Sequence, residues 1–332
     1  TTYLSTDSSA QAVAETASAT TINKEGTSIL KVKTTDGTNT AYSSEYTIKI
    51  DKTAPTTVAP TASKTTKSIT VTCNQTDGLS GINASTKQYA IYKNGAWSAW
   101  QTSNVFNNLT SGKEYQVKTK VSDNAGNSAE STATKVTTTT LTAGTLNLKL
   151  INSTGANYTA GTWTNQNVYV TLNNGSAGTT TYASVSGSAQ SVASTTGATT
   201  IEAAGTTTLK VTTTDGTNSV SNTYVIKIDK TAPTAGTLTM KLNSSTGAAY
   251  TANTWTANSV YVHLNNGSDE TNGSGHKSTS YSITGPTTAS GTNDATLTTT
   301  GTYTAKITTT DNAGNSATRT VTIKIDKEKP AT

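Results

Sequence analysis

Cysteine, histidine, arginine, phenylalanine and methionine are almost missing from this sequence of 332 residues. It holds one Cys (Cys73), two His (His263, His276), one Arg (Arg319), one Phe and one Met. A single Cys excludes an internal disulfide framework. Cys73 closes the alternation Ile69, Val71, Cys73 and reads as a small buried apolar residue. A nucleophilic triad needs a base, and neither His is placed for one. His263 lies between Val262 and Leu264 on the outward face of a strand, and His276 sits in a Gly/Ser loop. Paired carboxylates on rigid elements and Gly-rich phosphate loops before a helix are also lacking. The chain therefore reads as non-enzymatic.

Charge is sparse as well. Charged residues make up 13% and the net charge is +5, carried by lysines scattered singly along predicted strands, such as Lys31, Lys49, Lys210, Lys227 and Lys324. Nucleic-acid readers cluster their basic residues and favour Arg, so nucleic acid is not an expected partner. Single lysines on strands instead discourage edge-to-edge pairing. No run approaches the roughly 20 apolar residues of a membrane span, and no signal peptide or anchor is visible, so direct membrane insertion is not expected either.

What remains is a β composition. Thr and Ser supply about a third of the residues, with Val, Ile and 14 Tyr at regular intervals. These suit a pleated, half-buried surface. Apolar residues alternate with Thr or Lys in short runs: Val168, Val170, Leu172; Val260, Val262, Leu264; Tyr224, Ile226, Ile228 with Lys227 outward. Period-two strands punctuated by Gly and Asn every 8–12 residues predict β-sandwiches.

Self-similarity sets the organisation. Residues 161–175, GTWTNQNVYVTLNNG, return 92 positions later as NTWTANSVYVHLNNG. YTIKIDKTAP at 46–55 returns as YVIKIDKTAP at 224–233 and again as VTIKIDKEKP at 321–330. The opening 22 residues align with the stretch ending at Ile201, which predicts a partial unit at 1–51 lacking its first strands, followed by full units at 52–137, 138–229 and 230–332. Such a partial unit leaves a core edge that a strand donated by another chain could complete.

The linker Ile-Asp-Lys-Thr-Ala-Pro (50–55, 228–233) and the loop Asp-Asn-Ala-Gly-Asn (123–127, 311–315) carry a resemblance to bacterial immunoglobulin-like repeats. Unit 52–137, through QYAIYKNGAWSAWQT and NLTSGKEYQVKTKVSDNAGN, is more similar to a fibronectin type III variant. The resemblance implies tandem immunoglobulin-like sandwiches in an elongated rod, and a stalk or scaffold segment of a larger bacterial surface protein, adhesin-like and extracellular. Its partners would be neighbouring domains and a host surface protein or glycan. Phage virions use such modules too, as tail fibres or decorations, and a filament subunit assembled by strand donation is a further alternative.

Differences between the copies point to a site. Units two and four each have an acidic early loop (Asp77-Gly-Leu-Ser-Gly81; Ser268-Asp-Glu-Thr-Asn-Gly-Ser-Gly275), a late Asp-Asn-Ala-Gly-Asn loop, and an Asp in the entering linker. Unit three lacks all three together. In an immunoglobulin-like sandwich both loops lie at the end where the linker enters. Carboxylate clusters suit a hard cation, so Asp51, Asp77 and Asp123, and again Asp229, Asp269 and Asp311, are expected to bind Ca²⁺, with Glu270, Asn124 and Asn312 as supplements. An Asp in a tight loop also caps its own backbone, and this bland alternative applies to each of the six. Trp163 and Trp255, at matching positions, are expected in the core. Trp97 and Trp100, three apart on a strand, are expected on opposite faces, one of them open to carbohydrate.

Overall fold

The computed structural model describes residues 1–330. Every element among them is a β-strand except one 3-10 turn, Ala84–Thr86. Residues cluster into two compact units: Thr1–Leu141 together with Asp215–Asn218, and Thr142–Thr214 together with Ser219 onward.

The first unit begins with a four-stranded sheet in which Gly26–Thr35 is central, pairing with Thr2–Ser5 on one side and with Thr40–Tyr42 and Tyr46–Ile50 on the other. Among the described residues no second sheet covers it, and Leu30, Val32, Ile48 and Ile50 stay half-buried. Residues 52–137 form a sandwich. One sheet is Thr61–Lys64, Ile69–Thr72 and Val105–Phe106; the other is built on Glu114–Ser122, which pairs with Gln88–Lys93, Ser128–Glu130 and Thr134–Thr137. Strict alternation along Glu114–Ser122 sends Tyr115, Val117, Thr119 and Val121 inward, onto Ile69, Val71, Ile91, Phe106 and Leu109. The turn Asp215–Asn218 closes this unit: the Asn218 amide donates to the Leu109 carbonyl at 3.1 Å, and Ser111 N–H donates to Asn218 Oδ1 at 3.2 Å.

The second unit holds two sandwiches of matching plan. In the earlier one, Thr145–Leu150, Val168–Asn173 and Thr199–Ile201 face a sheet of Trp163–Thr164, Ser219–Ile228, Gly205–Thr214 and Thr179–Ser184. In the later one, Thr237–Leu242, Val260–Asn265 and Ala295–Leu297 face Trp255–Thr256, Ser316–Ile325, Gly301–Asp311, His276–Thr284 and Ala289–Gly291. Leu209, Val211, Ile226 and Ile228 fill the first core, and Tyr303, Ala305, Ile307, Ile323 and Ile325 the second. These are tandem immunoglobulin-like β-sandwiches.

A tyrosine clasp recurs in both: Tyr158 accepts from Lys227 N–H at 3.0 Å and donates to the Thr162 carbonyl, while Tyr250 accepts from Lys324 N–H at 2.9 Å and donates to the Thr254 carbonyl. The clasp holds a short strand in parallel pairing with the closing strand at the sheet edge. This position corrects the expectation for the paired tryptophans. Trp255 is 60% exposed and Trp163 only half-buried. Each indole lies on the sheet surface beneath a lysine ammonium, Lys227 over Trp163 and Lys324 over Trp255, both 5.7 Å from the ring.

Candidate metal centre

In both units the last strand of one segment, a single sheet in the first unit and a sandwich in the second, delivers an aspartate into the head of the following sandwich. Asp51 follows Tyr46–Ile50, and Asp229 follows Ser219–Ile228. Asp77 and Asp269 lie in the loops after Ile69–Thr72 and Val260–Asn265; Asp123 follows Glu114–Ser122, and Asp311 ends Gly301–Asp311. The structure brings all six together as two triads. Asp51, Asp77 and Asp123 each offer a carboxylate oxygen within 4.8 Å of the others, and so do Asp229, Asp269 and Asp311.

Each aspartate also caps its own loop. Asp123 Oδ1 accepts from Ala125, Gly126 and Asn127 N–H at 2.7–2.9 Å, and Asp311 Oδ1 accepts from Gly314 and Asn315 N–H at 2.7–2.8 Å. The linker aspartates are gripped from the loop of the following sandwich: Ser80 N–H donates to Asp51 Oδ2 at 2.9 Å, and Ser274 N–H to Asp229 Oδ2 at 2.6 Å. Asp77 Oδ2 accepts from Gly81 N–H, and Asp269 Oδ2 from Gly275 N–H. The two heads are thus built on one plan. The Asx turns and the acidic cluster coexist, because a carboxylate offers about four lone-pair sites.

Asn124 and Asn312, expected as supplementary ligands, also have a place in the loop scaffold. Their amide nitrogens brace the early loop, donating to Ser80 and Gly81 carbonyls at 2.8 and 3.1 Å, and to Ser274 and Gly275 carbonyls, both at 2.9 Å. The structure adds a pair that residue-type reasoning missed. Asn127 Nδ2 spans Asp123 Oδ2 (2.8 Å) and the Asp51 carbonyl (3.1 Å); Asn315 Nδ2 spans Asp311 Oδ2 (2.8 Å) and the Asp229 carbonyl (2.9 Å). Their recurrence as the last residue of Asp-Asn-Ala-Gly-Asn was the available signal. Glu25, which stands against the first linker and accepts from Lys52 N–H at 3.0 Å and from the Thr53 hydroxyl, had none.

Burial sharpens the electrostatics. Asp123 and Asp311 are sealed from solvent, and Asp229 is 2% exposed. Burial alone raises the Asp229 carboxyl, and the Ser274 and Thr231 N–H groups outweigh it, holding the group charged below the usual carboxylate range. Glu270 is displaced upward, first by its hydrogen bond to Asp269 and further by the charge of Asp229. Asp269 Oδ1 and Ser80 Oγ are buried without a hydrogen-bond partner among the described residues. Clustered carboxylates with an unsatisfied buried oxygen fit an oxygen-liking divalent cation such as Ca²⁺.

The aromatic pair is placed otherwise than expected. The strand ends at Trp97, and both Trp97 and Trp100 stack on the Lys118 ammonium, at 4.8 and 4.9 Å, so both lie on one face. Lys118 also pairs with Glu130 at 3.0 Å. His263 is exposed as expected but has partners: its Nδ1 lies 2.7 Å from Asp294 Oδ1, and the Tyr261 hydroxyl donates to Asp294 Oδ2. His276 Nε2 lies 2.8 Å from Thr279 Oγ1. Cys73 is half-buried. No helix among the described residues is long and apolar enough to cross a membrane.

No family model matches the chain, and no curated protein does. Solved structures do. A tetra-tandem repeat from the extending region of a large adhesion protein matches at 17% identity over 98% of this chain and 92% of that one, with a TM-score of 0.36. The three N-terminal domains of the highly immunogenic outer capsid protein Hoc of bacteriophage RB49 match at 13% over 82% and 99%, with 0.43. Titin domains A168–A170 match at 11% over 82% and 99%, with 0.34. Identities this low concern the fold alone.

Proposed function

We propose that this chain is a non-catalytic spacer segment of an extracellular surface protein, whose sandwiches are joined through Ca²⁺ held at Asp51, Asp77 and Asp123 and at Asp229, Asp269 and Asp311. One observation carries the reading. The aspartate triad occurs twice, each time where an Ile-Asp-Lys linker enters a sandwich, and the sandwich of residues 138–229 lacks both the linker and the early-loop carboxylate, keeping only Asp215 in its late loop. Loop capping alone, which Asp215 still performs there, would not require the linker and early-loop carboxylates to come and go together. The cation would neutralise carboxylates contributed by each linker and by the sandwich it enters, and Asn127 and Asn315 would hold the linker backbone in place.

Stacking of both indoles on Lys118 favours a structural use of Trp97 and Trp100 over carbohydrate contact. Hydrogen exchange tests the reading. Adding Ca²⁺ to the metal-stripped full chain is expected to slow exchange in peptides covering 77–81 and 269–275 at least several-fold, while the corresponding loop 175–178 stays unchanged as an internal control. Equal exchange in all three loops would overturn it.

A further inference from the structure

The two acidic heads share their hydrogen-bonding plan but differ in three respects. Asp77, Ser80 and Gly81 correspond to Asp269, Ser274 and Gly275, since each trio makes the same bonds to the loop and the linker. The second loop is two residues longer, and the added length brings in Glu270. Its carboxylate folds back against that of Asp269: a Cβ built on Gly273 would meet Glu270 Cδ at 2.7 Å and Asp269 Oδ2 at 2.8 Å. A side chain at 273 would displace the tips of these two carboxylates from the places they hold on that side of the loop. The first loop has Leu79 instead, 57% exposed.

The linker aspartate differs next. Asp229 is buried, whereas Asp51 is partly open and lines a cavity of about 370 Å³ with Lys49, Leu79 and Ser80. The fourth carboxylate of the first head, Glu25, comes from the preceding sheet and is already engaged by Lys52 N–H and the Thr53 hydroxyl. Finally, each head has one buried oxygen with no hydrogen-bond partner among the described residues, but it is a carboxylate oxygen, Asp269 Oδ1, in the second and only a hydroxyl, Ser80 Oγ, in the first.

Affinity for Ca²⁺ rises with the number of carboxylates and the rigidity of the site. We infer that the two heads are graded: Asp229, Asp269, Asp311 and Glu270 take a divalent cation at lower concentration than Asp51, Asp77 and Asp123. This rests on the cation reading proposed above. The second unit would then be loaded under conditions in which the first is still empty, so one chain would respond to calcium over two concentration ranges. Glu270 widens the gap by adding charge, and Gly273 preserves it by leaving room.

Calorimetric titration of the metal-stripped full chain with CaCl₂ tests the grading. Two classes of site are expected, separated by about tenfold or more in Kd, within the span that charge count sets in oxygen-ligand sites. Asp311→Ala should remove the tighter class and Asp123→Ala the weaker. Glu270→Gln, an exposed change that leaves the core untouched, should weaken the tighter class several-fold, and Gly273→Ala should do the same. Two equal sites, loss of the tighter class in Asp123→Ala, or an unchanged tighter class in Glu270→Gln would overturn the grading while leaving the cation reading intact. No saturable binding up to millimolar Ca²⁺ would overturn both.

Discussion

Asp215 shows how much a single carboxylate does in this protein without any metal. Its Oδ1 accepts from Thr217 and Asn218 N–H at 2.9 and 2.7 Å, and its Oδ2 accepts from the Asn218 amide at 3.1 Å. Burial pushes the carboxyl up, but these bonds, with the Thr66 hydroxyl, hold it well below the ordinary carboxylate range. A depressed folded-state value contributes stability above the unfolded value near 4, and that contribution is lost as pH falls through the folded value. Asp215→Ala is therefore expected to lower the melting temperature of the first unit by a few degrees at pH 7, about 1 kcal/mol for a lost cap. The difference should shrink between pH 4 and pH 2; an equal deficit at both ends of that range would contradict the assignment. Residue identity alone could not separate Asp215 from Asp123, since both open tight loops. Only the comparison of three residues across copies marked the triads, whereas Asn127, Asn315 and Glu25 act through contacts made far along the chain.

At the level of elements, alternation gave the strands their faces. Ile226 and Ile228 are sealed in the core and Lys227 between them reaches the surface, as the period-two pattern requires. Ile226→Ala should destabilise the second unit by about 2–5 kcal/mol, from lost transfer energy and the cavity left behind. Lys227→Ala, which loses mainly a half-buried cation–π contact at the sheet surface, should cost about 1 kcal/mol. Urea unfolding of the two variants checks the contrast, and comparable losses would mean that the strand's faces are misassigned. The pattern misled where strands are short. Trp97 ends a two-residue strand, so period two does not extend to Trp100. Trp163 and Trp255 sit on two-residue edge strands whose pairing is made with a strand some 60 or more positions away. Lys118→Ala should cost the 52–137 sandwich about 1 kcal/mol and alter tryptophan fluorescence through both indoles; unchanged emission would argue against the stack.

Across the whole molecule, repetition made the fold legible, and divergence between the copies made the candidate site legible. Three of the four stretches close on the same Ile-Asp-Lys linker, so each could be read against the others, and the aligned segment 1–51 differs from its counterpart in burial as well as content. Leu30 and Val32 are half-buried where Leu209 and Val211 are fully buried. That difference depends on which sheets face one another, which a single strand's pattern does not encode. Calcium joining linker to head is the claim on which the functional reading turns. Differential scanning calorimetry of the full chain in about 2 mM CaCl₂ and in excess EDTA tests it most directly, since a ligand bound only to the folded state stabilises by mass action. The account predicts a higher melting temperature with calcium, by several degrees, lost when Asp123→Ala and Asp311→Ala are combined. Superimposable transitions with and without calcium would contradict it and leave the six aspartates as loop caps.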